Sequence, residues 1–101
     1  MIGKKVRWSK RATTQINKAY DYIEQDSPLN AEKMQERLAV KLIAIGKDPM
    51  ISPPDKYKSM NDGSYRAFTL SRYRIRIAYR VGKKEVLILR VRHTSRRPLY
   101  Y

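Results

Sequence analysis

Between Tyr65 and His93 apolar and polar residues alternate in three short runs with barely a turn between them. The middle run is the clearest: Tyr73, Ile75, Ile77, Tyr79 and Val81 fall on one parity, and Arg74, Arg76, Ala78 and Arg80 on the other. A period of two is strand geometry, because successive side chains point to opposite faces of a sheet. The pattern therefore predicts a sheet with one apolar face and one face lined with guanidinium groups. Tyr65–Leu70 precedes this run through the link Ser71-Arg72, and Glu85–Arg92 follows it through Gly82-Lys83-Lys84. Both links are short enough for antiparallel hairpins. On the last run His93 shares its parity with Leu87, Leu89 and Val91 and is expected to be a half-buried structural histidine.

Upstream the period changes. Lys4–Trp8 reads as a short strand, and Ser9 is placed to cap a helix with its hydroxyl. Ala12, Ile16, Ala19, Tyr20 and Ile23 then draw one apolar stripe at helical spacing. Ser27-Pro28 reads as a new N-cap and first helical position, since proline's missing N–H costs nothing there. Ala31, Met34, Leu38, Leu42 and Ile45 carry a second helix to about Gly46. From Leu38 to Ile45 this helix is apolar nearly all round except at Lys41, so it is buried on more than one side or offers a face to a partner. Lys47–Gly63 has three prolines and no period, and reads as a loop in which Lys56 and Lys58 are solvated or lean toward the basic face. The expected fold is α+β: a strand, a two-helix antiparallel hairpin, then a three-stranded antiparallel meander, in one domain spanning 1–101.

Composition narrows the chemistry. The 101 residues contain no cysteine and a single histidine, which argues against disulfides, a thiolate metal site or a histidine metal centre. No cofactor or metal is expected. There is no apolar run long enough to span a bilayer and no signal-peptide pattern, so the expectation is a soluble, cytoplasmic protein with no membrane partner. The formal charge is +14, and from Ser64 onward 11 Lys+Arg face the single acid Glu85, giving 11 − 1 = +10. Nine of those eleven are arginines, whose planar fork suits phosphate or carboxylate. A polyanionic partner, whether RNA, DNA or an acidic protein, is favoured over a merely solvated face.

The order of elements, Arg76-Ile77-Ala78-Tyr79-Arg80-Val81, the ending Leu89-Arg90-Val91-Arg92-His93-Thr94-Ser95-Arg96 and the Lys-Val-Arg-Trp-Ser start resemble the RelE/ParE superfamily of bacterial toxins. The resemblance covers nearly the whole chain. It implies the toxin of a type II toxin–antitoxin (plasmid stabilisation) pair, neutralised by a small antitoxin that wraps its surface. Growth inhibition would come either from inhibiting DNA gyrase, as ParE-like members do, or from cutting messenger RNA on the ribosome, as RelE-like members do. On the RelE-like side Arg76 and Arg96 match active-site arginines, Arg66 stands where a lysine is usual, and Tyr100 lies near a late tyrosine. Phe68 replaces a further lysine, and Tyr100 follows Arg96 too closely, while the ending His93-Thr94-Ser95-Arg96 is more ParE-like. A non-toxic nucleic-acid-binding module is a third reading, for which the sequence shows no stacking platform.

Cutting RNA through a 2′-hydroxyl needs a proton acceptor, a donor for the leaving oxygen, and cations around the developing charge. Arg66, Arg76 and Arg96 offer the cations, and for a proton acceptor the chain offers His93, Tyr100, Tyr101 or a lysine with a lowered pKa. For target or nucleic-acid binding, the candidates are Arg74, Arg76, Arg80, Arg90, Arg92 and Arg96. For an acidic antitoxin they are Leu38, Leu42 and Ile45, with a toxin–antitoxin hetero-oligomer left open. As a residue on the polar parity, Arg76 is expected to be replaceable at a stability cost of only about 0.5 kcal/mol.

Overall fold

Ser9 divides the first strand from the first helix by doing two jobs at once. Its hydroxyl oxygen accepts from the Ala12 N–H at 3.0 Å, which caps the helix, and donates to the Leu89 carbonyl at 2.9 Å, which ties the cap to the sheet. The computed structural model describes residues 3–97 and 100–101, and in it β1 (Lys5–Trp8) leads into α1 (Lys10–Asp26). Ser27 caps α2 (Pro28–Lys47) through the Asn30 N–H, with Pro28 opening the helix as expected. Then follow β2 (Tyr65–Leu70), β3 (Ile75–Val81) and β4 (Glu85–His93).

The meander forms as predicted, and β1 joins it by lying parallel to β4, giving the sheet order β1-β4-β3-β2. Both helices cover one face. There Ile75, Ile77, Tyr79, Val86, Ile88 and Val91 pack against Ala12, Met34, Leu38 and Ile45 to make the core. Tyr79 is fully buried, and its hydroxyl donates to the Pro49 carbonyl at 2.7 Å, so the only polar atom of that side chain is satisfied. Among the described residues no helix is long and apolar enough to cross a membrane.

Two expectations about the meander are corrected. The link between β2 and β3 is not Ser71-Arg72 alone: Ser71–Tyr73 form a single 3-10 turn, and Arg74 closes it in the left-handed region at φ 55°. Arg74 therefore lies in the turn and not on the strand face. In β4 the register against β3 steps from Ala78↔Arg90 to Tyr79↔Ile88, which leaves Leu89 as the extra residue of a bulge. Simple alternation fails at that point. Val86 and Ile88 are buried before the bulge and Val91 after it, whereas Leu87 and Leu89 are only half-buried. The bulge lets one strand serve both faces, with Val86, Ile88 and Val91 turned to the helices and Leu87, Arg90 and Arg92 turned away.

The proline-rich loop is more ordered than its composition suggests. Residues 53–55 run beside the outer edge of β2, with Asp55 N–H donating to the Tyr65 carbonyl and Ala67 N–H to that of Pro53. Asn61 ties the loop's far end: its amide donates to the carbonyls of Asp55 and Tyr65, and its oxygen accepts from the N–H groups of Gly63 and Tyr65. An otherwise open strand edge is thereby covered.

Candidate functional site

Register places the arginines. Arg76 stands opposite Arg92, Ala78 opposite Arg90, and Arg80 opposite Tyr65 on one side and Leu87 on the other, all on the face away from the helices. Like charges directly across a ladder repel. Here the cost is offset by Tyr65 of β2 and by two tyrosines and one acid brought in from outside the sheet. The Tyr57 ring has Arg76 at 4.8 Å and Arg92 at 5.3 Å from its centroid, Arg80 lies 5.3 Å from the Tyr65 ring, and Arg90 stacks on Tyr101 at 4.1 Å. Each such contact is worth roughly 0.5–1 kcal/mol at partly exposed sites. Tyr100 meets Tyr57 edge to face at 5.3 Å but is itself mostly exposed.

Asp55 is the single acid in this cluster, and it is buried at 2% exposure. One carboxylate oxygen receives Arg76 Nη2 at 2.9 Å and the Tyr57 N–H at 3.0 Å, and the other receives the Tyr101 hydroxyl at 2.6 Å. Burial works to raise the carboxyl's pKa, but the bonds from Tyr101, Tyr57 and Arg76 together outweigh it and hold Asp55 below its ordinary value. The same contact acts on Tyr101 in the opposite sense. Burial and the neighbouring Asp55 push its phenol well above the ordinary range, so it stays a proton donor.

The predicted site residues separate into two groups. Arg76, Arg80, Arg90 and Arg92 share the arginine–tyrosine face, and Arg96 follows β4 on the exposed turn, where its carbonyl accepts from Arg92 at 3.1 Å. Arg66 is a correction. It pairs with the buried Tyr79 and so sits on the helix side of the sheet, where its guanidinium donates to the carbonyls of Gly63 at 2.8 Å and Ser52 at 3.1 Å. It clamps the loop and does not join Arg76. Arg76 itself is no free surface cation, since the buried Asp55 holds it; replacing it strands a carboxylate, contrary to the small cost expected from its parity. His93 is half-buried as expected, with its Nδ1 accepting from the Ser95 N–H and in contact with the Ser95 hydroxyl at 2.6 Å. Among the described residues no cluster of three or more His, Asp or Glu side chains could hold a metal.

Comparison with known proteins now bears on this arrangement. Residues 6–98 match the sequence model of the family described as the ParE toxin of the type II toxin-antitoxin system, parDE. The chain belongs to the ParE toxin family. A curated protein of Sinorhizobium fredii (strain NBRC 101917 / NGR234), named "Putative toxin Y4kP", is 30% identical over 93 residues, which is 92% of this chain and 91% of that protein. A solved structure of the chromosomal ParDE TA system from P. aeruginosa shares the fold with a TM-score of 0.68 at 22% identity, covering 89% of this chain and 95% of that one.

For a ParE-family toxin the apolar belt of α2 is the other surface of interest, and it too divides. Of the residues named for an antitoxin, Leu38 and Ile45 are closed into the chain's own core and Leu42 packs half-buried against it. The outward residues are Val40 and Ile43, at 66% and 62% exposure. Helical periodicity explains the split, because positions 34, 38 and 45 fall on the inward stripe and 40 and 43 on the opposite one. Asp55 and Tyr57 escaped sequence reasoning, and Tyr101 entered it only as one of several possible proton carriers. Two lie in an aperiodic loop and one beyond the last strand, so no repeat flagged them; the only available signal was a lone acid between prolines and lysines at Pro54-Asp55-Lys56.

Proposed function

We propose that this chain is the toxin half of a type II pair, held inert by a cognate acidic antitoxin in the cytoplasm. When free, it arrests growth by docking on DNA gyrase or a similar target and does not cut RNA. Family membership supports the pair, and the +14 charge with the exposed Val40 and Ile43 supports an acidic partner having some apolar contact. The observation that carries the choice of mechanism is the Asp55–Arg76 bond at 2.9 Å. An endonuclease needs uncommitted cations and proton carriers around the phosphate. Arg76 is already paired with Asp55, Arg66 is spent on carbonyls on the helix side and Tyr101 is committed to Asp55, which leaves the exposed Arg96 and Tyr100 of the RelE-like set without the two arginines that would stand beside them. A surface that binds by stacked arginine and tyrosine needs none of these groups to be free for proton transfer.

The reading is tested by inducing the chain alone in a bacterial host and counting survivors, with and without co-expression of an acidic protein encoded beside it. Arrest that the partner relieves is expected. Normal growth on induction would contradict the toxin reading, and cleaved messenger RNA in arrested cells would favour the RelE-like alternative.

A further inference from the structure

At the centre of the arginine face the sheet carries small side chains. Ala67 of β2 and Ala78 of β3 stand opposite one another there, and Arg90 of β4 stands opposite Ala78 on the other side. Neither alanine belongs to the helix-side core, yet they are only 2% and 3% exposed, so something outside the sheet covers them. Two methyl groups in a face otherwise built from arginine and tyrosine leave room for a ring to lie over the strands. Ala78, Arg90 and Tyr101 line one groove at this place, where the Tyr101 ring stacks on the Arg90 guanidinium at 4.1 Å and meets the Tyr65 ring edge to face at 6.1 Å. Three bonds seat that ring, and all come from the loop between α2 and β2. The Tyr101 hydroxyl donates to Asp55 at 2.6 Å, its N–H donates to the Tyr57 carbonyl at 3.0 Å, and its carbonyl accepts from the Ser59 N–H. The cation beneath is shut in by this arrangement. Arg90 Nε is buried and has no hydrogen-bond partner among the described residues, so no anion reaches that side of its fork while the ring is seated, whereas Arg96 and Arg97 at the rim are exposed.

We infer that Tyr101 is an autoinhibitory plug of the arginine face: seated, it withholds Arg90 from polyanions and leaves them only the rim, and unseated, it gives them one more cation. The geometry ties the two events together, because the ring lies on the guanidinium that a phosphate would have to reach. Seating of the ring and binding of an anion at Arg90 therefore exclude each other, and each must weaken the other by the same factor. A tyrosine that served only to cover Ala67 and Ala78 would carry no such linkage. The inference does not rest on the target proposed above: its test contains neither gyrase nor ribosome, and its failure would leave growth arrest untouched.

The test uses the full chain and a short fluorescent DNA duplex as the polyanion, titrated by anisotropy between about 50 and 200 mM salt. At the low-salt end Tyr101→Ala should bind about tenfold more tightly than the parent, as expected for one charged hydrogen bond gained. Its log K should also fall more steeply with log salt, by about 0.9, which is the signature of one further phosphate neutralised. Adding Arg90→Met to Tyr101→Ala should return both values to those of the parent, which assigns the gain to that cation and not to a loosened fold. In the unmutated protein saturating duplex should speed exchange of the Ser59 amide, whose acceptor is Tyr101, a readout that does not depend on any variant folding. Tyr101→Ala binding like the parent or more weakly, an unchanged salt slope, a double variant that keeps the gain, or Ser59 exchange that the duplex leaves alone would each overturn the inference. So would a duplex that binds none of these proteins, since the plug would then withhold nothing.

Discussion

Removing either partner of the Asp55–Arg76 pair should unfold this protein at much lower temperature than a surface substitution would. Asp55 is 2% exposed and the Arg76 side chain 16%, so neither can be rescued by water without opening the loop that carries Asp55. Truncating one member of a buried pair costs about 3–5 kcal/mol, because the other charge is left without a partner. That is a large share of the roughly 5–15 kcal/mol that stabilises a domain. For a chain of this size about 3 kcal/mol corresponds to roughly 12–24 °C in melting temperature, at roughly 4–8 °C per kcal/mol. Asp55→Ala, Arg76→Ala and the double variant should be melted by circular dichroism at pH 7. The double variant should cost clearly less than the sum of the singles, since it strands no charge. If each single change costs only about 0.5 kcal/mol, the value typical of surface sites, the pair is solvated and the reasoning fails.

Four further outcomes are expected. Because Asp55's folded pKa lies below its unfolded value, its contribution is complete above the ordinary carboxylate range and is lost as pH falls through the folded pKa. The parent's melting temperature should therefore fall more steeply than that of Asp55→Asn below about pH 4. Ser9→Ala removes both the cap of α1 and its tie to Leu89, and should cost about 1–2 kcal/mol in urea denaturation. Arg74→Gly relieves the left-handed φ of 55° and should leave stability equal or raise it by up to about 1 kcal/mol, measured the same way. Ile43→Asp should leave the melting temperature nearly unchanged while weakening partner binding, whereas Leu38→Asp should prevent folding, as seen by circular dichroism.

Much of the fold was legible because burial writes itself into sequence as a period. Ile75, Ile77 and Tyr79 alternate because β3 lies between two strands with helices on one face, and Met34, Leu38 and Ile45 recur because α2 buries one stripe. Ser9 and Ser27-Pro28 marked the helix starts by a local chemistry that needs no tertiary context. The bulge at Leu89 was not legible. One inserted residue reverses parity, and only the pairing with β3 shows where it falls. The arginine face was anticipated at Arg76, Arg80, Arg90 and Arg92, but its neutralising acid Asp55 and the rings of Tyr57 and Tyr101 come from segments whose placement depends on side-chain bonds such as those of Asn61. Arg66 was grouped with Arg76 by its resemblance to a RelE-like position and not by its parity, which it shares with Phe68 and Leu70 on the helix side, where its long side chain bonds carbonyls.

The central claim is that the toxin acts by contact and not by cleavage. Purified chain should be added to a gyrase supercoiling reaction and, in parallel, to ribosomes programmed with messenger RNA. Loss of supercoiling with the message intact is the predicted result; cut message with unaffected supercoiling would contradict it.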